Sequence, residues 1–134
     1  MTVREMFDKD VASASLGMKL MEAGAGHAVV TMLVREDMLN GFGVMHGGLL
    51  FSLADTAFAL ACNDGSAVTF TSGADITFLR PVGPGQRLTA IAAERSRSGR
   101  TGIYDVTVRD ESNEAVAEFR GRSRSTDRPV LWAD

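Results

Sequence analysis

Residues 47–62 read Gly-Gly-Leu-Leu-Phe-Ser-Leu-Ala-Asp-Thr-Ala-Phe-Ala-Leu-Ala-Cys, a stretch that is apolar on almost every side. A helix that is hydrophobic all round belongs inside a fold rather than on its surface. The stretch is shorter than the ~20 residues a bilayer span requires. It also contains a carboxylate, Asp55, so a buried helix is predicted and a membrane span is rejected. Its small and polar positions, Gly48, Ser52, Asp55, Ala59 and Asn63, fall in a single strip.

Outward from this helix the period of the sequence changes. On the C-terminal side Val68, Phe70, Ala74, Ile76 and Phe78 alternate with polar residues, and the run stops at Arg80-Pro81-Val82-Gly83-Pro84-Gly85, a strong turn signal. Further strands are expected at 87–97, 101–109 and 114–125, separated by Ser98-Gly99 and by 110–113. On the N-terminal side, 19–22 and 27–34 read as a strand pair across 23–26. Val3, Met6, Phe7, Val11 and Ala14 suggest one short amphipathic helix ending before Gly17. Strands joined by short turns favour antiparallel pairing, and an apolar helix among them must be wrapped by their sheet. The expected fold is α+β, an antiparallel sheet around a long central helix, as a single domain over residues 1–134.

The chain has 134 residues, 45% hydrophobic and 23% charged, with no repeat or low-complexity linker, which suits one globular domain. One cysteine and two histidines exclude a disulfide framework and a zinc cage. Acids at Glu5, Asp8 and Asp10 stand where a signal peptide needs a basic lead, and the lone Cys62 fits a reducing compartment, so a cytoplasmic location is expected. The net charge of −3 argues against a dedicated nucleic-acid binder. Residues 1–79 hold four Lys+Arg against nine acids, whereas 80–134 hold ten arginines against eight. An arginine-weighted second half suits phosphate or carboxylate recognition, and a plain solvated face is the competing reading.

There is no phosphate-binding G-x-x-x-x-G-K-[ST], no G-x-S-x-G elbow and no H-E-x-x-H. The chemistry concentrates in residues 40–56. Gly47 and Gly48 open the buried helix, so amide N–H groups without a side chain in the way face whatever approaches, a ready site for an oxyanion or carbonyl. Asp55 is the single charge between Gly47 and Asn63. Desolvation would raise its pKa toward that of a general base or nucleophile; a structural Asp bonded to Ser52 or to backbone is the alternative. Asn40 offers an amide that can hold a water, or simply turns the chain at Asn-Gly. His46 could orient the loop or share a proton network, and no second ligand stands by it for a metal. Asp55 lies eight residues beyond Gly47, about 12 Å along the axis at ~1.5 Å per residue. If both act on one carbonyl, a second copy of the chain must supply one of them.

The segment from Asn40 to Asp55, with His46-Gly47-Gly48 and the helix Leu-Phe-Ser-Leu-Ala-Asp-Thr-Ala-Phe-Ala, closely resembles the hotdog-fold acyl-CoA thioesterases, and among them the phenylacetic-acid-degradation (PaaI-type) group. The likeness continues through 76–81, 102–106 and 117–121 and covers about residues 15–125. It implies a dimer with active sites at the interface, usually a dimer of dimers. It further implies that the Gly47 N–H polarises the thioester carbonyl, that Asn40 positions water or substrate, and that His46 supports the loop. The partner's carboxylate, equivalent to Asp55, would be the base or nucleophile. A Ser or Thr on the next strand often assists in this family, and Thr71 or Ser72 matches that place. The resemblance implies an acyl-CoA substrate, with no separate cofactor or metal; Gly48 and the arginines Arg80, Arg97, Arg100 and Arg120 are candidates for holding it, and Arg122 and Arg124 share the face of Arg120. Hydratases and dehydratases of the same fold need a paired His and acid beside the acyl chain, and a non-catalytic acyl-CoA-binding protein would bind without releasing thiol. No role is assigned to 126–134.

Overall fold

The computed structural model describes residues 2–64 and 67–129. In chain order it contains α1 (Val3–Asp8), α2 (Val11–Ser15), β1 (Lys19–Gly24), β2 (His27–Leu33), a 3-10 turn (Glu36–Met38), α3 (Gly47–Cys62), β3 (Ala67–Phe78), β4 (Arg87–Ser98), β5 (Thr101–Arg109) and β6 (Ala115–Pro129). The six strands form one sheet in the order β1-β2-β4-β5-β6-β3, with every pairing antiparallel. Helix α3 lies against all six strands, so the expected wrapped helix is the observed architecture.

Alternation places one face of each strand on the helix. Ala28, Val30 and Met32 of β2, Leu88, Ala90 and Ala92 of β4, Tyr104, Val106 and Val108 of β5, and Ala117 and Phe119 of β6 are buried against Leu53, Ala54, Ala57, Phe58, Leu60 and Ala61 of α3. The alanines matter as much as the larger residues, because small side chains on both surfaces let the helix sit close to the sheet. Phe58 lies so close to β6 that a Cβ added at Gly121 would stand 2.7 Å from its ring. The ring meets Tyr104 and Phe119 at centroid distances of 5.7 and 5.8 Å, both tilted, a favourable aromatic geometry.

Several boundaries differ from the sequence expectation. The N-terminal helix is two helices, because Asp10 leaves helical geometry and caps α2: its Oδ1 accepts the Ser13 N–H at 2.9 Å. A side-chain acceptor offered to a free helical N–H ends one helix and starts another. Strand β1 runs on to Gly24 past an irregularity between Leu20 and Glu22, so the turn is only Ala25-Gly26, with Gly26 at φ +69°. Strand β6 extends four residues beyond the expected end, to Pro129, because β3 continues to pair with it: Thr69 opposes Ser125, and the Thr126 hydroxyl donates to the Val68 carbonyl at 2.8 Å. Of the segment without an assigned role, 126–129 is therefore strand, and 130–134 lies outside the described residues.

Two consequences position the site. Strand β3 is a sheet edge of 12 residues whose outer side is unpaired among the described residues, with Phe70 and Phe78 each about half exposed on it. The N-terminus of α3 emerges beside the β3–β4 connection, where the Met45 N–H donates to the Val82 carbonyl at 2.8 Å.

Candidate active site

The loop before α3 is tied down residue by residue. The Asn40 N–H donates to the Val44 carbonyl at 2.8 Å, the Gly43 N–H returns to the Asn40 carbonyl at 3.0 Å, and the His46 N–H donates to the Met38 carbonyl at 2.8 Å. The Asn40 side chain completes the turn: its Oδ1 accepts from the N–H groups of Phe42 at 2.9 Å and Val44 at 3.4 Å. Asn40 thus acts as the turn residue of Asn-Gly through its carbonyl end, and its amide Nδ2 makes no hydrogen bond among the described residues.

His46 is the N-cap of α3, and its Nδ1 accepts the Gly48 N–H at 3.0 Å. That role requires an unprotonated Nδ1. It also consumes one of the two glycine donors. The Gly47 N–H has no acceptor among the described residues, and no acid occupies the first turn of α3 to compete for it. This donor sits at the positive end of the helix dipole. Beside it opens a cleft of about 380 Å³ lined by Asn40, Gly47, Leu50, Phe78, Arg80 and Val82 among others. Space above Gly47 is tight: a Cβ there would stand 3.1 Å from the half-exposed Phe78 ring, which would have to shift slightly to admit it. A free backbone N–H, a side-chain amide, apolar walls and one guanidinium together suit a carbonyl whose ends are apolar on one side and anionic on the other.

Asp55 lies two turns further along α3 and is half-buried. It has no side-chain hydrogen bond among the described residues, and the Ser52 hydroxyl donates instead to the Gly48 carbonyl at 3.0 Å. The alternative of an Asp bonded to Ser52 or to backbone is thereby overturned, because helix geometry hands Ser52 a closer acceptor. Partial burial raises the Asp55 carboxyl above its ordinary range, and the charge of Asp10 pushes it the same way. Asp55 does not line the cleft at Gly47 within this protomer.

The remaining expected residues are scattered. Thr71 and Ser72 are exposed on the β3 edge, at an irregularity between Thr71 and Gly73; the Ser72 hydroxyl donates to the Arg122 carbonyl at 3.1 Å. Gly48 is exposed at the helix start with its N–H taken. Of the arginines, Arg80 alone lines the cleft with Gly47, and it pairs with Glu114. Arg120 lies on the sheet face away from α3, held by Asp105 through two bonds of 2.7 and 2.9 Å, and Arg122 pairs there with Asp75 at 3.0 Å. Arg124 is exposed on the same strand face. Arg100 reaches Asp127 at 2.5 Å, and Arg97 lies 3.7 Å from Asp64 and 3.8 Å from Glu94. The sequence reading missed Phe78 over Gly47 and the contact of Ser13 with Thr56 beside Asp55. Neither contact has a local sequence signal; Asp10-x-x-Ser13, the spacing of a helix cap, marks only the start of α2.

No cluster of three His, Cys, Asp or Glu side chains able to hold a metal occurs among the described residues, and no helix there is long and apolar enough to cross a membrane.

Comparison with known proteins supplies the family. The model of the thioesterase superfamily matches residues 42–117, which include Gly47 and Asp55. The acyl-coenzyme A thioesterase PaaI of Escherichia coli is 45% identical over 118 residues, covering 88% of this chain and 84% of that protein. The solved structure of E. coli PaaI superposes with a TM-score of 0.94 over 97% of this chain and 94% of that one. A mutant form of the phenylacetic acid degradation protein PaaI from Thermus thermophilus gives 0.81 at 38% identity, over 87% of this chain and 100% of that one. The smu.793 protein of Streptococcus mutans, solved bound to acetyl CoA, gives 0.78 at 26% identity over 81% and 88%. The sheet wrapped around α3 is the hotdog fold, and the chain belongs to the thioesterase superfamily.

Proposed function

We propose that this chain is an acyl-CoA thioesterase that hydrolyses small aryl-acyl, phenylacetyl-type CoA thioesters in phenylacetate degradation. The single observation that carries the chemistry is the unsatisfied Gly47 N–H at the start of α3, opening on a cleft with the Asn40 amide. The thioester carbonyl oxygen accepts from that N–H. Asn40 Nδ2 holds the water or the substrate, and His46 keeps the loop in shape by occupying the neighbouring Gly48 N–H. Asp55 of a second copy of the chain takes a proton from water as the water oxygen adds to the carbonyl carbon. The tetrahedral oxyanion collapses, the C–S bond breaks, and the Asp55 proton passes to the leaving thiolate, giving free acid and CoA. A single turnover in 18O-water tests this route against attack by the carboxylate itself, which would leave label in Asp55 rather than only in the product acid.

The site is shared between two copies, as a dimer that pairs again into a dimer of dimers. The ~12 Å of helix between Gly47 and Asp55 supports this. So does the open β3 edge with its exposed Phe70 and Phe78, since a long unpaired edge is a template for another strand. On that edge Thr71 or Ser72 assists the partner's site. Arg80 is placed to meet CoA phosphates, with Gly48, Arg97, Arg100 and Arg120 as further candidates. Each chain is one hotdog unit over 1–134, working in the cytoplasm with no cofactor beyond the CoA of its substrate.

The experiment is complementation between two dead variants. Asp55→Asn and Gly47→Pro chains, each inactive alone, are mixed, unfolded and refolded together, and free thiol is read with phenylacetyl-, hydroxyphenylacetyl-, benzoyl- and aliphatic-CoA thioesters. Half the dimers are then mixed and each has one intact site, so about a quarter of the wild-type rate returns. No recovery, with both variants folded and dimeric, rules out the shared site. Faster turnover of aliphatic than of aryl thioesters rules out the aryl substrate class.

A further inference from the structure

The N-terminal helix pair is joined to the middle of α3 by a directed chain of hydroxyls. Asp10 Oδ2 accepts from the Ser13 hydroxyl at 2.6 Å, and Ser13 Oγ stands 2.9 Å from Thr56 Oγ1. A hydroxyl has one proton, and Ser13 spends its own on the carboxylate, so Thr56 donates to Ser13. Ser13 is buried, 3% exposed, and Met6, Phe7 and Leu16 pack on the core around it. Thr56 is the residue next to Asp55. Between the helix pair and α3 lies a cleft of about 250 Å³ lined by Met6, Lys9, Asp10, Thr56, Ala59 and Leu60, and the bond from Ser13 holds the half-buried Asp10 carboxylate there.

We infer that α1 and α2 are a functional part of the active site, with Asp10 a positioning residue whose negative charge, anchored through Ser13 and Thr56 to the turn of α3 that carries Asp55, acts on that carboxylate. This rests on the reading of Asp55 as the base. Among the described residues, Asp10 is the charged group acting on Asp55. Lys9 lines the same cleft but stands exposed at the end of α1. Cys62, on α3 itself, is a buried thiol pushed up to about 12 and carries no charge at neutral pH. Tyr104 from β5 is a buried neutral phenol, and Asp64, Glu94 and Arg97 pair with one another beyond the far end of the helix. A like charge brought near a carboxylate makes protonation easier and the carboxylate a stronger base.

The test uses the full chain with Asp10→Asn, which retains a cap for Ser13, and Asp10→Ser, a second cap without charge should the first fail to fold. The Asp55 carboxyl is titrated directly by 13C NMR on aspartate-labelled protein, its resonance assigned by its loss in Asp55→Asn. In the Asp10 variants the titration and the acid limb of the kcat/KM profile both move to lower pH, and at neutral pH kcat falls while KM holds. If folded Asp10 variants leave the titration and the limb where the wild type has them, the inference is overturned while Asp55 stands as the base. If Asp55→Asn retains full turnover, the base reading itself fails, whatever Asp10 does. A carboxyl that moves without the rate profile following it also overturns the catalytic role.

Discussion

The two ends of the polar strip on α3 solve opposite problems. At the first turn the group of interest is a donor left unsatisfied: His46 takes the Gly48 N–H and leaves that of Gly47 bare, while the Phe78 ring crowds the space above it. In the middle of the helix the useful group is a charge, and the surroundings strip water from it and set a second acid near it. The first site is assembled by residues adjacent in the chain. The second stands next to a contact between Ser13 and Thr56, 43 residues apart. On the proposed reading one helix presents an electrophile-binding end and a base, about 12 Å apart along its axis and so too far apart for one carbonyl to meet both.

The sharpest way to break this comparison is to remove the charge. Asp55→Ala is expected to lower thioester turnover by about 10²- to 10⁴-fold, the usual loss of a general base, with circular dichroism and oligomeric state unchanged. Undiminished free-thiol release from this variant would sink the assignment of Asp55. Removing the donor is expected to cost about 10²- to 10³-fold in kcat, as for an oxyanion-hole N–H. Gly47→Pro does this with little backbone damage, because the first helical position tolerates proline. The preceding residue, His46, already has the extended geometry that a following proline demands, at φ −63° and ψ 128°. Gly47→Ala is the control: it keeps the N–H and meets the same 3.1 Å contact with Phe78. Equal losses in the two variants would assign the effect to packing and not to the donor.

The same contrast explains what could be read from the sequence. The central helix, the antiparallel strands and the loop of Asn40, His46 and Gly47 were legible because each rests on neighbours in the chain: an apolar run, a period of two, glycines before a helix. Asp55 was conspicuous as a lone charge among leucines and alanines. The break at Asp10 was missed because a periodic run of apolar residues outweighed a cap signal of comparable strength. The ring of Phe78 over Gly47, the pairing that carries β6 to Pro129, and the hydroxyl link from Ser13 to Thr56 all join distant segments, and no local pattern encodes such contacts. The arginines could be named from the sequence as candidates for holding CoA but not told apart. Their partners divide them: Arg80 faces the cleft, while Arg120 and Arg122 are tied to Asp105 and Asp75 on the opposite face of the sheet.

A smaller effect separates the loop's shape from its chemistry. His46→Ala removes the cap of α3, which costs about 1 kcal/mol of stability, and it frees the Gly48 N–H to compete with that of Gly47. A lower Tm with a loss of kcat/KM smaller than that of Gly47→Pro is expected, and His46→Asn, a stronger cap, should restore the Tm. If His46→Asn restores stability but leaves turnover as low as in Gly47→Pro, the imidazole does more than hold the loop.

The smallest effect concerns what the base does to the fold that carries it. Burial and Asp10 raise the Asp55 carboxyl in the native state above its ordinary value of 3.8. The folded chain therefore binds this proton more tightly than the unfolded chain does. As pH rises through the ordinary value toward the raised one, the unfolded state gives up the proton first, and native stability falls by linkage until the native carboxyl has also ionised. Above that window the charged carboxylate remains a constant burden on the fold. Asp55→Asn removes it, so the inactive variant should melt at a higher temperature than wild type at neutral pH and equal protein concentration, with the gain fading as pH drops below the ordinary range. Thermal melts of the two proteins across that pH range measure it. A variant no more stable than wild type at pH 7 would mean that Asp55 is better solvated in solution than its half-buried place on α3 implies, and the contrast between the two ends of the strip would weaken accordingly.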